Sequence, residues 1–414
     1  MKIKVLIDLS PVGSRPELRT GLARVALSLA RALSCRATIQ LKCAAWGSLH
    51  ATGQFLSASS ELADLEYASI RMDWASRHYI RKVLDLETFG KEPSIFWIRI
   101  GQVLNRLRNP LANLSSKDFN VIHSTYARLP SQSLKWRISR LITVHDLMPF
   151  ALPESMFPPG QRAITGRILK SIRKEDWVAC VSEHTKKDFL QFTEHPVERC
   201  VVIPNGVDLE VFSPSCPKRQ TAIRRKFGLT EDEPFLMTLS SLAPHKNLKM
   251  LLKLWNERKF GKGRGRFVIA GGRTTDAQSL FRQLGVDGVE TDGVIVTGYL
   301  TDEDYVDLAS ACNSFLFPSL YEGFGLPALE AMACGAPVVV ASTTSLPEVV
   351  GNGGQTLDPS NECLWAEAME AALLTTPPDC VRLASRRRAE GFSWGATAAR
   401  YEALYHQMNR PEIR

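Results

Sequence analysis

The sequence predicts an α/β protein of two parallel-sheet domains, and three observations point there. A chain of 414 residues is longer than one ordinary core organises, so two domains are expected. Short apolar runs such as Phe315–Phe317, Phe235–Leu239 and Val338–Val340 suit buried strands. Between such runs lie segments with apolar residues at helical spacing, for example Leu22, Val25, Ala26, Leu29, Ala30 and Leu33.

Composition narrows the class. Hydrophobic content of 44% and charged content of 23% are globular values. No run of roughly eighteen apolar residues occurs, so no membrane-spanning helix is expected. Met1-Lys-Ile-Lys-Val-Leu-Ile-Asp8 reads as a first strand and not a signal peptide. Nine cysteines are scattered without a Cys-x2-Cys pair, which argues against a metal or disulfide framework and fits a cytoplasmic setting. The net charge, 51 − 43 = +8, fits an enzyme with anionic ligands or a protein that meets an anionic surface.

In chain order, Lys2–Leu9 is the first strand and Ser10–Thr20 a loop rich in Pro, Gly and Arg. Thr20 can cap the following helix and Gly21 opens it. A glycine there lets a ligand come close, or serves the turn alone. Cys35–Trp46 reads as the second strand. Asn120–His123 and Leu141–Val144 are short strands that run into histidines, His123 and His145. Open parallel sheets bind ligands at the carboxyl ends of their strands, so either histidine could face a ligand; burial in the core is the competing reading, chiefly for His123. Arg162–Arg173 is a basic helix, and Trp177–Val181 a strand followed by Ser182 as an N-cap. Val201–Ile203 leads into Pro204-Asn205-Gly206, read mainly as a turn.

Ser213–Thr230 holds Pro214, Pro217 and a basic cluster, and is expected to link the domains, entering a helix near Gln220. Phe235–Leu239 opens the second domain. Lys246 then stands at the turn before a helix with Leu248, Leu251, Leu252 and Trp255 on one face. A cation there can reach a bound phosphate. Arg266–Ala270 ends in Gly271-Gly272, and Val294–Thr297 in Gly298-Tyr299-Leu300. Asp302 and Asp304 have the spacing of a metal motif but read as a helix start.

The densest signal follows. Phe315–Phe317 is a strand, Gly323 and Gly325 flank Phe324, and Pro327 fits a first helical turn. Leu326, Leu329, Met332 and Ala333 continue the helix, and Gly335 stops it. Free N–H groups at such a start suit a diphosphate. Glu322 and Glu330 flank the site, and acids repel phosphate, so they fit sugar hydroxyls better. The site asks for a ligand with phosphate and sugar parts. Helices at Glu362–Leu374, about Arg382–Arg388 and Trp394–Met408 complete the chain.

Glu322-Gly-Phe-Gly-Leu-Pro-Ala-Leu-Glu330 resembles the Glu-x7-Glu motif of retaining GT-B glycosyltransferases, family 4 in particular. Its flanks, Phe317-Pro-Ser-Leu-Tyr321 and Ala331-Met-Ala-Cys-Gly-Ala-Pro-Val-Val339, are similar too. So are Thr143-Val-His-Asp-Leu-Met-Pro149, Pro204-Asn-Gly-Val-Asp208, Lys246-Asn247 and Phe392-Ser-Trp394. The resemblance implies the GT-B fold, two Rossmann-like domains facing across a cleft, with a C-terminal helix crossing back. The expected domains are an acceptor-binding 1–213, a nucleotide-sugar-binding 214–392 and a returning helix in 393–414.

It further implies retaining, metal-independent transfer of a hexose from a nucleoside-diphosphate sugar to a glycan or lipid-linked saccharide, with no cofactor. Lys246 and the amides of Gly323, Phe324, Gly325 and Leu326 would hold the diphosphate. Glu322 would hold sugar hydroxyls, Glu330 the ribose, and His145 the sugar from the other domain. Gly21 would face the donor and Leu300 the base. His245 stands where many members carry arginine, which leaves one phosphate contact open. The segment from Val144 to Phe150 is similar to polysaccharide mannosyltransferases, which makes GDP-mannose the expected donor. A nucleotide-sugar epimerase of the same architecture, or a non-catalytic binder, is the competing class.

The resemblance does not reach about 50–115. Between 61 and 110, Arg71, Arg77, Arg81, Lys82, Arg99, Arg106 and Arg108 mix with Trp74, Tyr79, Phe96 and Trp97. Two readings stand: a surface that docks on anionic lipid near a lipid-linked acceptor, or ordinary helices with solvated charges. Nucleic acid fits less well, because Asp73, Asp85, Glu87 and Glu92 break up the charge.

Overall fold

The computed structural model describes residues 2–13, 21–46, 64–66, 80–81, 100, 111, 114–272, 274–286 and 291–410. Thr20, and the basic stretch at 61–110 apart from 64–66, 80–81 and 100, lie outside the described residues.

The N-terminal lobe is a six-stranded parallel sheet in the order β2-β1-β3-β4-β5-β6. Its strands are β1 Ile3–Asp8, β2 Ile39–Ala44, β3 Val121–Ser124, β4 Ser139–Val144, β5 Trp177–Cys180 and β6 Cys200–Val202. The second strand is shorter than the apolar run suggests, because Arg36–Thr38 turns before Ile39 pairs with Ile3. The C-terminal lobe has the order β12-β11-β10-β7-β8-β9. Its strands are β7 Phe235–Leu239, β8 Arg266–Ala270, β9 Val294–Gly298, β10 Ser314–Phe317, β11 Val338–Ala341 and β12 Gln355–Leu357.

Ten helices position the site: α1 Gly21–Ser34, α2 Glu183–Phe192, α3 Pro217–Lys226, α4 Leu248–Glu257, α5 Asp302–Ala311, α6 Leu326–Ala333, α7 Leu346–Val350, α8 Glu362–Leu374, α9 Asp379–Glu390 and α10 Trp394–Met408. The linking helix α3 starts earlier than Gln220, because Pro217 fits the first turn.

Each sheet reverses its winding once. In the first, β1 lies between β2 and β3; in the second, β7 lies between β10 and β8. Loops leaving the two strands at a reversal part in opposite directions and open a crevice at their carboxyl ends. In the C-terminal lobe those loops carry Lys246, after β7, and Glu322, after β10.

Helix α10 belongs to the core of the first lobe. Trp394, Ala398, Tyr401, Leu404, Tyr405 and Met408 bury there beside Val5, Leu29 and Leu141. A buried polar chain fixes it. Tyr405 Oη meets His123 Nδ1 at 2.8 Å, and Thr143 Oγ1 meets His123 Nε2 and Tyr401 Oη at 2.8 Å each. Burial pushes the His123 imidazolium down to about 3, so the ring is neutral. His123 is therefore a buried core residue. Gly206 is structural as well: a Cβ there would lie 2.5 Å from the Trp394 nitrogen.

Candidate functional site

Lys246 ends a 3-10 turn, Pro244–Lys246, and Asn247 follows at φ 55° to launch α4. The Leu320 N–H donates to the His245 carbonyl at 2.7 Å and ties this turn to the Glu322 loop. Lys246 Nζ then donates to Glu322 Oε1 at 2.5 Å, with the two side chains 19% and 12% exposed. The second loop is braced from behind, by residues the motif did not flag. The Glu322 N–H donates to Thr344 Oγ1 at 3.0 Å, and Ser345 Oγ donates to the Glu322 carbonyl at 2.9 Å.

Gly325 caps α6 at φ 101°, a left-handed conformation that glycine adopts without strain. The Phe324 ring is buried 5.9 Å from Phe392, so that residue offers the crevice only its backbone. Gly323 touches the other lobe: a Cβ there would stand 1.7 Å from the His145 carbonyl oxygen. The Gly323 carbonyl accepts from Ser182 Oγ at 2.7 Å and from Thr185 Oγ1 at 3.0 Å. Ser182 is the expected cap of α2; its grip on the opposite lobe was not legible in the sequence.

Further bonds hold the lobes together. Glu348, in α7, accepts from the Glu183 and His184 N–H groups at 3.0 and 3.2 Å and so caps α2 from across the cleft. Tyr321 Oη donates to Asp188 Oδ2 at 2.5 Å. His245 donates through Nδ1 to the Met156 carbonyl at 3.2 Å. Burial pushes its imidazolium below the ordinary histidine range. His245 thus joins the lobes, and its burial disfavours a second cation there.

His145 is half-buried where β4 ends. Its Nε2–H donates to the Thr125 carbonyl at 2.6 Å, which leaves Nδ1 as an acceptor. Burial pushes the ring down to about 4, so it is neutral at physiological pH. Asp146 is pushed up by burial and by Glu322, and drawn back by the Met148 N–H and Lys246.

Glu330 lies on the buried side of α6, and Leu326 packs on both lobes' cores. Burial raises the Glu330 carboxyl to about 7, against the pull of Arg24. Arg24, in α1, donates to Asp302 Oδ1 at 2.6 Å and to Glu330 Oε1 at 3.2 Å. No motif singled out Arg24. The metal-spaced acids Asp302 and Asp304 sit in the first turn of α5, capped by Thr301, and pair with Arg24 and Lys226. A Cβ on Gly21 would meet Leu326 Cδ1 at 3.9 Å, an ordinary contact. The described protein therefore does not itself demand glycine at this position. Leu300 is half-buried after β9, beside the Gly271–Gly298 bridge.

The Lys246 ammonium, the Glu322 carboxylate and the start of α6 thus meet, with the His145 backbone against Gly323, while Glu330 pairs with Arg24. Residues 19–211 match the model of Glycosyltransferase Family 4, and residues 219–389 that of Glycosyl transferases group 1. The chain belongs to this glycosyltransferase family. Among curated relatives, the O-antigen chain mannosyltransferase B of Escherichia coli is 29% identical over 272 residues, 64% of this chain and 70% of that protein. The serotype-specific mannosyltransferase WbdA of Escherichia coli is 29% identical over 278 residues, 65% of this glycosyltransferase but only 33% of that longer protein. Among solved structures, Anabaena Alr3699/HepE in complex with UDP and glucose superposes with a TM-score of 0.65 at 16% identity, covering 98% of this chain and 100% of that one. That likeness shows the fold, which is GT-B. No helix of the glycosyltransferase, among its described residues, is long and apolar enough to cross a membrane.

Proposed function

We propose that this glycosyltransferase moves a hexose, mannose first among candidates, from a nucleoside-diphosphate sugar to a glycan or lipid-linked saccharide. The setting would be cell-surface polysaccharide synthesis at the cytoplasmic face of an anionic membrane. The names of the mannosyltransferase relatives support the sugar, and the observation that carries the reading is the Lys246–Glu322 pair beside the start of α6.

An ammonium has three donors. One goes to Glu322, and the others would serve the diphosphate together with the amides of Gly323 to Leu326. As the bond from the sugar C1 to the phosphate oxygen breaks, charge grows on the diphosphate, and these fixed donors offset it. Glu322 would accept from sugar hydroxyls and Glu330 from the ribose. His145 would accept a sugar hydroxyl through Nδ1. The acceptor oxygen bonds to C1 on the face the diphosphate leaves, so configuration is retained, and the hydroxyl proton departs with the diphosphate. No step in this reading requires a metal or cofactor.

The test is acceptor-dependent release of nucleoside diphosphate from a panel of donors, GDP-mannose included, with the product anomer read by NMR. Glu322→Ala is expected to lose ~100-fold or more in rate. Near wild-type transfer by that variant ends the assignment of Glu322, and an inverted product ends the assignment of retention. Epimerised donor without acceptor-dependent release would replace the whole reading by the epimerase.

A further inference from the structure

Arg24 lies in the first turn of α1, in the N-terminal lobe, yet its guanidinium ends among side chains of the other lobe. Asp302 Oδ1 is 2.6 Å from one terminal nitrogen and Glu330 Oε1 is 3.2 Å from the other. The guanidinium carbon stands 4.9 Å from the centre of the Phe212 ring. Two carboxylates and an aromatic face therefore hold one side chain at three points. The two acids come from different helices, α5 and α6. A planar fork meets them through two separate terminal nitrogens, in a fixed geometry that a lysine's single ammonium does not reproduce. The arrangement spans the cleft, so it exists only while the lobes are together.

Glu330 needs this partner. Its side chain is 10% exposed, and a buried carboxylate is costly without a cation. From α1 it faces Arg24; from α5 it faces the acid Asp302 and the phenol of Tyr305; Cys334 lies one turn along its own helix. Of these groups only Arg24 carries positive charge.

We propose that Arg24 is a positioning residue for donor recognition: by gripping Glu330 from the opposite lobe, it makes capture of the nucleotide ribose and closure of the lobes one event. This rests on the reading of Glu330 as the ribose partner. When the lobes part, Glu330 loses the guanidinium 3.2 Å away that orients its carboxylate toward ribose hydroxyls. Nucleotide affinity and closure are then linked reciprocally: a ligand that prefers the closed form stabilises it. Direct contact of Arg24 with phosphate forms no part of the inference.

Isothermal titration of the full chain with GDP, UDP, ADP and dTDP, and with inorganic pyrophosphate as a ligand without ribose, tests this between pH 6 and 9. The variants are Arg24→Gln, Arg24→Lys and Glu330→Gln. For the preferred nucleotide, Arg24→Gln is expected to weaken binding ~10-fold. The pH below which its affinity declines should move upward from the wild-type value, while pyrophosphate binds as before. Arg24→Lys keeps the charge and should keep the wild-type pH profile with intermediate affinity. Unchanged nucleotide affinity in Arg24→Gln, or equal weakening of pyrophosphate, overturns the role of Arg24 while leaving Glu330 in place. If Glu330→Gln binds the nucleotide as tightly as wild type, or wild type binds none of the four, the ribose reading falls and takes this inference with it.

Discussion

The ammonium of Lys246 and the carboxylate of Glu322 meet at 2.5 Å although 76 residues separate them. They leave neighbouring strands, β7 and β10, at the point where the second sheet reverses its winding. The pair is therefore a product of strand order. It also gives a fixed local field: the cation is oriented before any donor arrives, so little reorganisation is left for the reaction.

Removing the cation should expose what it does. Lys246→Met keeps much of the side-chain volume but leaves Glu322 near Asp146 without a counter-charge. Transfer is expected to fall ~100-fold or more, measured as acceptor-dependent nucleoside diphosphate release. Activity within a few-fold of wild type would show that Lys246 only braces its loop.

Gly323 tests closure. A methyl there would sit 1.7 Å from the His145 carbonyl oxygen, so Gly323→Ala must hold the lobes apart or displace the loop. Each lobe keeps its own core, so the variant should fold. Small-angle scattering is expected to report a larger radius of gyration than wild type, and transfer should be lost. A scattering curve and rate both unchanged would refute the contact.

The Glu330 carboxyl sets a pH trend in stability. Its ordinary value is 4.5 and burial raises it to about 7. Between those values the folded protein binds more protons than the unfolded chain, so stability falls as pH rises through the window. Asp8, raised by burial to about 6, adds to the same trend. Glu330→Gln should therefore melt above wild type at pH 8, by an amount on the order of 3 kcal/mol, with the gap closing toward pH 5. A constant offset across that range would count against the raised value.

Tyr405→Phe is the structural counterpart. It leaves His123 Nδ1, deep in the first lobe, without the hydroxyl 2.8 Å away. A cost of about 1–3 kcal/mol is expected, read as a lower denaturant midpoint, with the rate per folded molecule unchanged. A fall in rate at full stability would move His123 into the site.

Much of the fold was legible. The apolar runs at Phe235–Leu239 and Arg266–Ala270 became β7 and β8, and the periodic segment at Trp394–Met408 became α10, because burial on a strand or helix imposes its own spacing on the sequence. The turn carrying Lys246 and the loop with Glu322 were legible for the same local reason: glycine and proline mark where the backbone must bend. His245 was not, because a histidine's role is set by what surrounds it. Here the partner is the Met156 carbonyl, 89 residues away.

The sequence by itself determined the strands, the helices and the loops that carry chemical groups, since each is written in periodicity and turn residues within a few positions. Only the tertiary structure decided which groups meet. Arg24 finds Asp302 and Glu330 at separations of 278 and 306 residues, and Ser182 finds Gly323 at 141. Such pairings follow from sheet order and from the closing of two lobes, and neither leaves a mark at any one position along the chain.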